Sequence, residues 1–283
     1  MKPIVVLYHT NCPDGFGAAW AAWKKFGNKA EYVGVPATQD EDQLKGLKVK
    51  DKEVYFLDVC ASEKELKKLV RTNRNVIVID HHVSNKDKVR IARENIFDIS
   101  HSGSVLSWKY FHPNKKIPLL LKYVEDNDIW RFKQPYSKEI GAALGLLIEL
   151  DFKPWNTLVK KMENKADFKK ILEQGKTVLA YEKRMMGWII ERAVKVKFMG
   201  FKVLAVNSSV LESDLGNILA EKCPPFGIVW RQVADGVRVS LRSTGLADVS
   251  KIARKFPGGG GHKKASGFKV ASVNKLPWKI IKN

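Results

Sequence analysis

The sequence predicts an α/β protein. An N-terminal, mostly parallel sheet with helices on both faces leads through a long helical connector into a smaller C-terminal α+β domain. Three observations carry this reading. Short β-branched runs alternate with helical patterns through the first part of the chain, and parallel strands buried on both faces read as such continuous runs. One amphipathic pattern then continues over residues 166–194. Beyond it, residues alternate in the manner of half-buried strands around glycine turns.

In order, residues 4–8 (Ile4-Val5-Val6-Leu7-Tyr8) read as a strand, 15–26 as a helix and 30–35 as a weakly extended segment. Residues 54–57 form a strand that ends at Asp58, 63–71 a charged helix, and 76–79 (Val76-Ile77-Val78-Ile79) a strand that ends at Asp80. Residues 104–111 and 119–125 are helical, the acidic turn Asp126-Asn127-Asp128 follows, and the apolar stretch 140–150 is a helix. In the pattern over 166–194, Phe168, Ile171, Leu172, Gly175, Leu179, Met186, Ile189 and Ile190 recur near helical spacing. At about 1.5 Å per residue it reaches on the order of 40 Å, and its Met and Trp residues serve core packing. Residues 196–199 and 202–206 are strands around Gly200-Phe201, and Ser213 caps a helix. Residues 227–231 and 237–242 pair as a hairpin, and a helix near 248–256 leads into a glycine run. The expected domains are 1–160, a connecting helix over 161–194, and 195–283.

At 283 residues the chain is long enough for two ordinary domains, and a 45% hydrophobic fraction excludes a disordered protein. The net charge of +20, spread along the chain, favours a polyanion, with nucleic acid foremost. Three cysteines, Cys12, Cys60 and Cys223, make no disulfide framework and fit a reducing compartment. The first strand begins without the apolar region and cleavage site of a signal peptide. No apolar run approaches the roughly 20 residues of a membrane span. The expectation is a cytoplasmic protein with no membrane partner; the sequence carries no clear oligomer signal.

Asp80-His81-His82, delivered to the carboxyl end of a buried strand, is the most informative feature. Imidazole and carboxylate together suit a divalent transition metal, and open α/β sheets bind ligands just beyond these strand ends. His9 and Asp58 also end strands. Parallel strands share a direction, so all three groups share one sheet edge. In Tyr8-His9-Thr10-Asn11-Cys12-Pro13-Asp14-Gly15-Phe16-Gly17, His9 and Asp14 flank a strand-to-helix turn whose glycines let backbone approach an anion. Taken alone, His9 reads as structural, Asp14 equally as a helix cap, and the acids of 126–128 as a turn. Together these donors would hold one or two cations that polarise a phosphoryl oxygen and activate water. In the last domain, Gly258-Gly259-Gly260-Gly261-His262-Lys263-Lys264 would surround an anion with backbone amides and positive charge. Arg242, beside Ser243, would add a bidentate contact.

These motifs resemble the DHH phosphoesterase superfamily over nearly the whole chain, including the Gly-Gly-Gly-Gly-His signature of the DHH-associated domain. The resemblance implies a manganese-dependent phosphodiesterase, with magnesium or cobalt as substitutes. Related two-domain members are oligoribonucleases, dinucleotide phosphodiesterases and RecJ-type exonucleases. His9 and Asp58 would hold one cation; Asp14, Asp58, His81 and Asp126 would hold the other, with Asp58 bridging. Asp80 would orient an imidazole and His82 would contact the scissile phosphate. Gly259, Gly260, Gly261 and His262, helped by Arg242 and Ser243, would receive the terminal phosphate or nucleotide in a cleft between the two domains. Where the family carries two aspartates one residue apart, this chain has Cys12 before Asp14 and Phe16 after it, which implies altered metal affinity with hydrolysis retained. The implied substrates are short RNA or DNA oligonucleotides or dinucleotides. The alternatives are a phosphomonoesterase on phosphorylated nucleotides or polyphosphate, and a non-catalytic nucleic-acid-binding module.

Overall fold

The computed structural model describes residues 2–36, 44–47 and 49–281. Met1 and residues 282–283, the outermost residues of the expected domains, lie outside it. The chain divides into two compact units between Leu179 and Ala180, inside the long helix.

The first unit runs β1 (Ile4–His9), α1 (Pro13–Phe26), β2 (Ala30–Val35), β3 (Glu53–Leu57), α2 (Glu63–Thr72), β4 (Asn75–Asp80) and β5 (Glu94–Phe97). It continues with α3 (Gly103–Phe111), α4 (Leu119–Asp128), α5 (Ser137–Leu147), α6 (Phe152–Glu163) and the start of α7 (Lys165–Ile190). Its sheet is wholly parallel, in the order β2-β1-β3-β4-β5. The strand alternation separates two cores. Val6, Tyr55, Leu57, Ile77 and Ile79 pack with residues of α1 and α3 to α6 on one face. Val5, Leu7, Val54, Phe56, Val76 and Val78 pack on α2 through Leu66 and Leu69 on the other. Ser62 fixes the start of α2 by accepting from the Glu65 amide, the first half of a capping box. The order reverses direction between β1 and β3, and at such a switch point the two following connections leave a crevice beyond the strand ends.

The second unit contains the end of α7 and then β6 (Val194–Phe198), β7 (Phe201–Asn207), α8 (Glu212–Lys222), β8 (Phe226–Val233) and β9 (Gly236–Ser243). The short α9 (Val249–Ala253), β10 (Gly260–Gly261), β11 (Ala265–Val270) and β12 (Lys279–Ile280) complete it. The sheet order is β10-β11-β9-β8-β7-β6-β12, antiparallel except for β7 beside β8. Phe198, Phe226, Ile228, Leu241 and Phe268 make its main core, with α9. Val206 and Val229 face Leu215 and Leu219 of α8 and Met186 of α7.

Two local expectations change. The acids at 126–128 occupy the last turn of α4, not a turn after it. Ser213 lies inside α8, whose cap position is Leu211; its hydroxyl instead accepts from Arg242. Helix α6 and strand β5, absent from the sequence reading, complete the first unit.

Candidate metal centre and glycine turn

The carboxyl ends of β1, β3 and β4 bring their side chains together. Asp58 follows β3 in the left-handed backbone region, at φ 60°, an uncommon conformation for a non-glycine residue that concentrates at functional sites. Its buried carboxylate lies at the centre: Oδ2 is 3.3 Å from His9 Nδ1, while Oδ1 is 3.1 Å from His81 Nε2 and 3.6 Å from His82 Nδ1. Gly103, the first residue of α3, makes this possible; a Cβ there would stand 2.5 Å from the Asp58 Cβ.

Asp14 enters from the first turn of α1. Its two oxygens accept from the Gly103 and Ser104 amides at 2.7 and 3.0 Å, so the amino end of α3 fixes it, as a helix N-terminus favours an anion. Gly15 lets this turn lie against β1, since a Cβ there would overlap the His9 carbonyl. Asp80 is fully buried. Its Oδ1 accepts from the His81 and His82 amides and lies 2.7 Å from His82 Nδ1, while Oδ2 accepts from Asn85. That arrangement fixes the orientation of the His82 ring.

Donor atoms of His9, Asp58 and His82 lie within 4.8 Å of one another, as do those of Asp14, Asp58 and His81. Asp58 belongs to both sets. Its Oδ1 and the facing His81 Nε2 are buried, attract as charges, and yet are misaligned for a hydrogen bond. Buried polar atoms without an aligned partner are costly, and two such donors aimed at one space fit a shared divalent cation.

The electrostatics agree. Burial, then the Asp58 charge, pushes the Asp14 carboxyl up to about 6, opposed by His81. Burial alone would raise Asp58 too, but His81, His9 and His82 hold it well below the usual carboxylate range. Burial disfavours a charged imidazole, yet Asp58, Asp14 and Asp128 outweigh it and raise His81 to about 10. Asp80 and Asp58 likewise raise His82 to about 9. Without a cation, protons therefore supply the positive charge that these acids require.

Asp126 does not face this cluster. It points to the loop after α4, where its oxygens accept from the Lys133 and Gln134 amides at 2.9 Å and from the Ser137 hydroxyl. Trp130, Phe132 and Tyr136 all have positive φ in that loop, and the carboxylate satisfies its amides. The acid at the centre is Asp128, whose Oδ2 is 3.5 Å from His81 Nε2. Burial and the Asp14 and Asp58 charges raise its carboxyl well above the ordinary range. Residues two apart on a helix point about 200° apart, so only one of the pair can face the sheet edge. Cys12 joins neither donor set; burial, then the Asp58 and Asp14 charges, drives its thiol up.

In the second unit the glycine run is a tight, ordered turn. Gly258 and Gly261 have positive φ, and a Cβ on Gly259 would overlap the Ala253 carbonyl. The Gly259 amide donates to Phe256 and the His262 amide to Ala265, so these two donors serve the fold rather than an anion. Ser243 is buried and its hydroxyl donates to the Ala247 carbonyl, which removes it from the substrate contacts expected of it. The Arg242 guanidinium donates to the Leu241 carbonyl and the Ser213 hydroxyl, and the Arg242 side chain packs on Gly216.

Comparison with known proteins puts these features in context. Residues 195–278 match the DHHA1 domain family. The chain is 34% identical over 293 aligned residues to uncharacterized protein R106 of Acanthamoeba polyphaga mimivirus, across 95% of this chain and 68% of that protein. It is 24% identical to the oligoribonuclease NrnB of Bacillus subtilis (strain 168), across 93% and 72%. Among solved structures, the DHH domain of PF0399, a member of a family of ribosomal proteins, superposes with a TM-score of 0.59 at 14% identity, covering 95% of this chain and 82% of that one. Manganese-bound exonuclease RecJ superposes at 0.50 and 14%, covering 94% and 85%. Among the described residues no helix is long and apolar enough to cross a membrane. With its strand-end Asp80-His81-His82 and its C-terminal domain match, the chain belongs to the DHH superfamily and carries a DHH-associated domain.

Proposed function

We propose that this protein is a divalent-metal-dependent phosphodiesterase that hydrolyses short oligonucleotides or dinucleotides, with manganese as its preferred ion. The observation that carries the proposal is the pair of donor sets sharing Asp58, with an unaligned carboxylate oxygen and imidazole nitrogen turned toward one space. The carboxylate oxygens suit manganese or magnesium, and the imidazoles favour a transition metal such as manganese or cobalt over magnesium. His9 and Asp58 would hold one ion; Asp14, Asp58 and His81 the other, with Asp128 completing that side in place of Asp126. Bound there, such ions supply Lewis acidity toward a phosphoryl oxygen and the attacking water.

The chain's own residues do the rest. Asp80 anchors His82 through Nδ1, which leaves Nε2 for the scissile phosphate. Nε2 is then positioned to donate a hydrogen bond to a phosphate oxygen. Asp14, held by the α3 amides, stays in place as substrate enters and leaves. In the DHH-associated domain, Lys263, Lys264 and Arg242 supply positive charge for the anionic end of the substrate, and the glycines shape the turn that presents the two lysines. The net charge of +20 supports a polyanionic substrate.

Product analysis tests this reading. Labelled RNA and DNA of graded length, with manganese, should release nucleotides, and Asp58→Ala should abolish release. Turnover of phosphomonoesters alone, or nucleic-acid binding without turnover that survives Asp58→Ala, would replace it.

A further inference from the structure

The second unit presents a row of positive charge that its fold does not use. Leu204 and Val206 of β7 pack with Met186, Ile189 and Ile190 of α7 and Leu215 of α8, so they mark the side of the sheet that α7 and α8 cover. Alternation along the strand puts Lys202 on that same side. In register, Lys197 of β6 stands opposite Lys202 and, on its other flank, opposite Lys279 of β12; Lys195 stands opposite Leu204. Lysines from three adjacent strands thus form one row, two strand spacings or about 10 Å long, with Lys195 two residues along. All four are exposed. Among the described residues none of them makes an ion pair, and neither do the acids nearest in sequence, Glu191 and Glu221.

Like charges directly opposite one another weaken a sheet, so the row costs stability. A charged side chain on an edge strand guards against pairing with another chain, which accounts for Lys279 on β12. It does not account for Lys197 and Lys202, because β6 and β7 have neighbours on both sides.

Helix α7 adds a second feature on this side of the sheet. Its Met186, Ile189 and Ile190 pack inward. Tyr181, Arg184 and Trp188 follow at i, i+3 and i+7 on the opposite face, with Arg192 one turn further on. Tyr181 is 61% and Trp188 44% exposed. The Arg184 guanidinium lies 5.2 Å from the Trp188 ring centroid, and Arg192 donates to the Trp188 carbonyl. The water-facing side of a surface helix is ordinarily polar. Rings interleaved with cations are instead what holds an unpaired strand, bases on the rings and phosphates on the cations.

We propose that this side of the second unit docks a single-stranded nucleic acid, with the row Lys195, Lys197, Lys202 and Lys279 on its phosphates and the Arg184–Trp188 pair beneath a base. Charge selects this occupant over a second copy: each copy carries +20 and repels the other, whereas a strand brings the anions that the row lacks. The exposed rings select an unpaired strand over a duplex, whose bases are already stacked. The contact needs no metal, so it stands independently of the phosphodiesterase reading.

The test uses the full-length protein in chelator and a fluorescently labelled strand of about 20 thymidylates, read by anisotropy over a salt series. The triple variant Lys197→Gln, Lys202→Gln, Lys279→Gln should bind about tenfold or more weakly than wild type. Its slope of log affinity against log salt should be shallower by about 2, at about 0.7 per phosphate contact. Its Tm should hold or rise, because the repulsion is gone. The control Lys161→Gln, Lys165→Gln, Lys169→Gln removes the same charge from exposed positions of the first unit and should keep affinity within about twofold. Trp188→Ala should weaken binding about fivefold or more with the slope unchanged. Equal losses in the two triple variants, or a wild-type slope without the row, overturns the surface. So does row-dependent binding to phosphatidylserine vesicles with none to the strand. Dinucleotide hydrolysis in manganese is measured separately, and its failure bears on the phosphodiesterase reading alone.

Discussion

Replacing Asp126 and Asp128 separately by asparagine should perturb stability in opposite directions, although the two residues share one helical turn. Asp126 accepts from two backbone amides at 2.9 Å and from the Ser137 hydroxyl. Hydrogen bonds to a charged acceptor contribute about 1.5–3 kcal/mol each. An asparagine keeps one acceptor oxygen and turns an amide toward another donor, so Asp126→Asn should destabilise by about 2–4 kcal/mol and leave manganese affinity within about twofold. Asp128 instead crowds Asp14 and Asp58. Each unit by which a folded state raises a carboxyl opposes folding by about 1.4 kcal/mol above that pKa. Burial and the Asp14 and Asp58 charges raise the Asp128 carboxyl itself, so the neutral amide of Asp128→Asn should return on the order of 1 kcal/mol in chelator. The same change should weaken manganese binding by about tenfold or more. Urea unfolding in chelator and calorimetric titration of manganese measure both quantities. Weakened metal binding in Asp126→Asn with unchanged stability, or unchanged binding in Asp128→Asn, would refute the assignment of the two acids.

Three further outcomes follow from the same geometry. The metal-free protein should lose stability as pH rises from about 6.5 to 10: folded His81 and His82 hold protons to about 10 and 9, whereas unfolded imidazoles release them near 6.5. Saturating manganese should flatten that slope in thermal melts, and a metal-free profile that rises over this range would contradict the charge balance described. Gly103→Ala would drive a methyl into Asp58, so it should cost about 1–3 kcal/mol and lower metal affinity; calorimetry indistinguishable from wild type would remove Gly103 from the positioning of Asp58. Asp80→Asn leaves both donor sets present but changes the acceptor that fixes His82, so kcat should fall at least tenfold with manganese stoichiometry intact, whereas unchanged kcat would deny Asp80 its orienting role.

The parallel sheet was legible because β1 and β4 are β-branched runs alternating with helices, whereas β5, Glu-Asn-Ile-Phe, carries no such run. The placement of His9, Asp58 and Asp80-His81-His82 on one edge followed from shared strand direction. The long helix was legible from its period, although the division at Leu179 and Ala180 falls inside a continuous pattern and carries no local signal. Helix α6 was missed although its signal is present: Trp155, Leu158 and Met162 stand at i, i+3 and i+7, the spacing of one helical face.

By itself, then, the sequence determined the family, the sheet edge and the types of donor on it, since strand direction and residue chemistry are local properties. The rotation of α4 that turns Asp128 toward His81 and Asp126 into its own loop was decided by tertiary structure. So was the internal use of the Gly259 and His262 amides. Each depends on which partner a side chain or amide meets, and those partners are set by packing between segments distant in sequence or by the path of a loop.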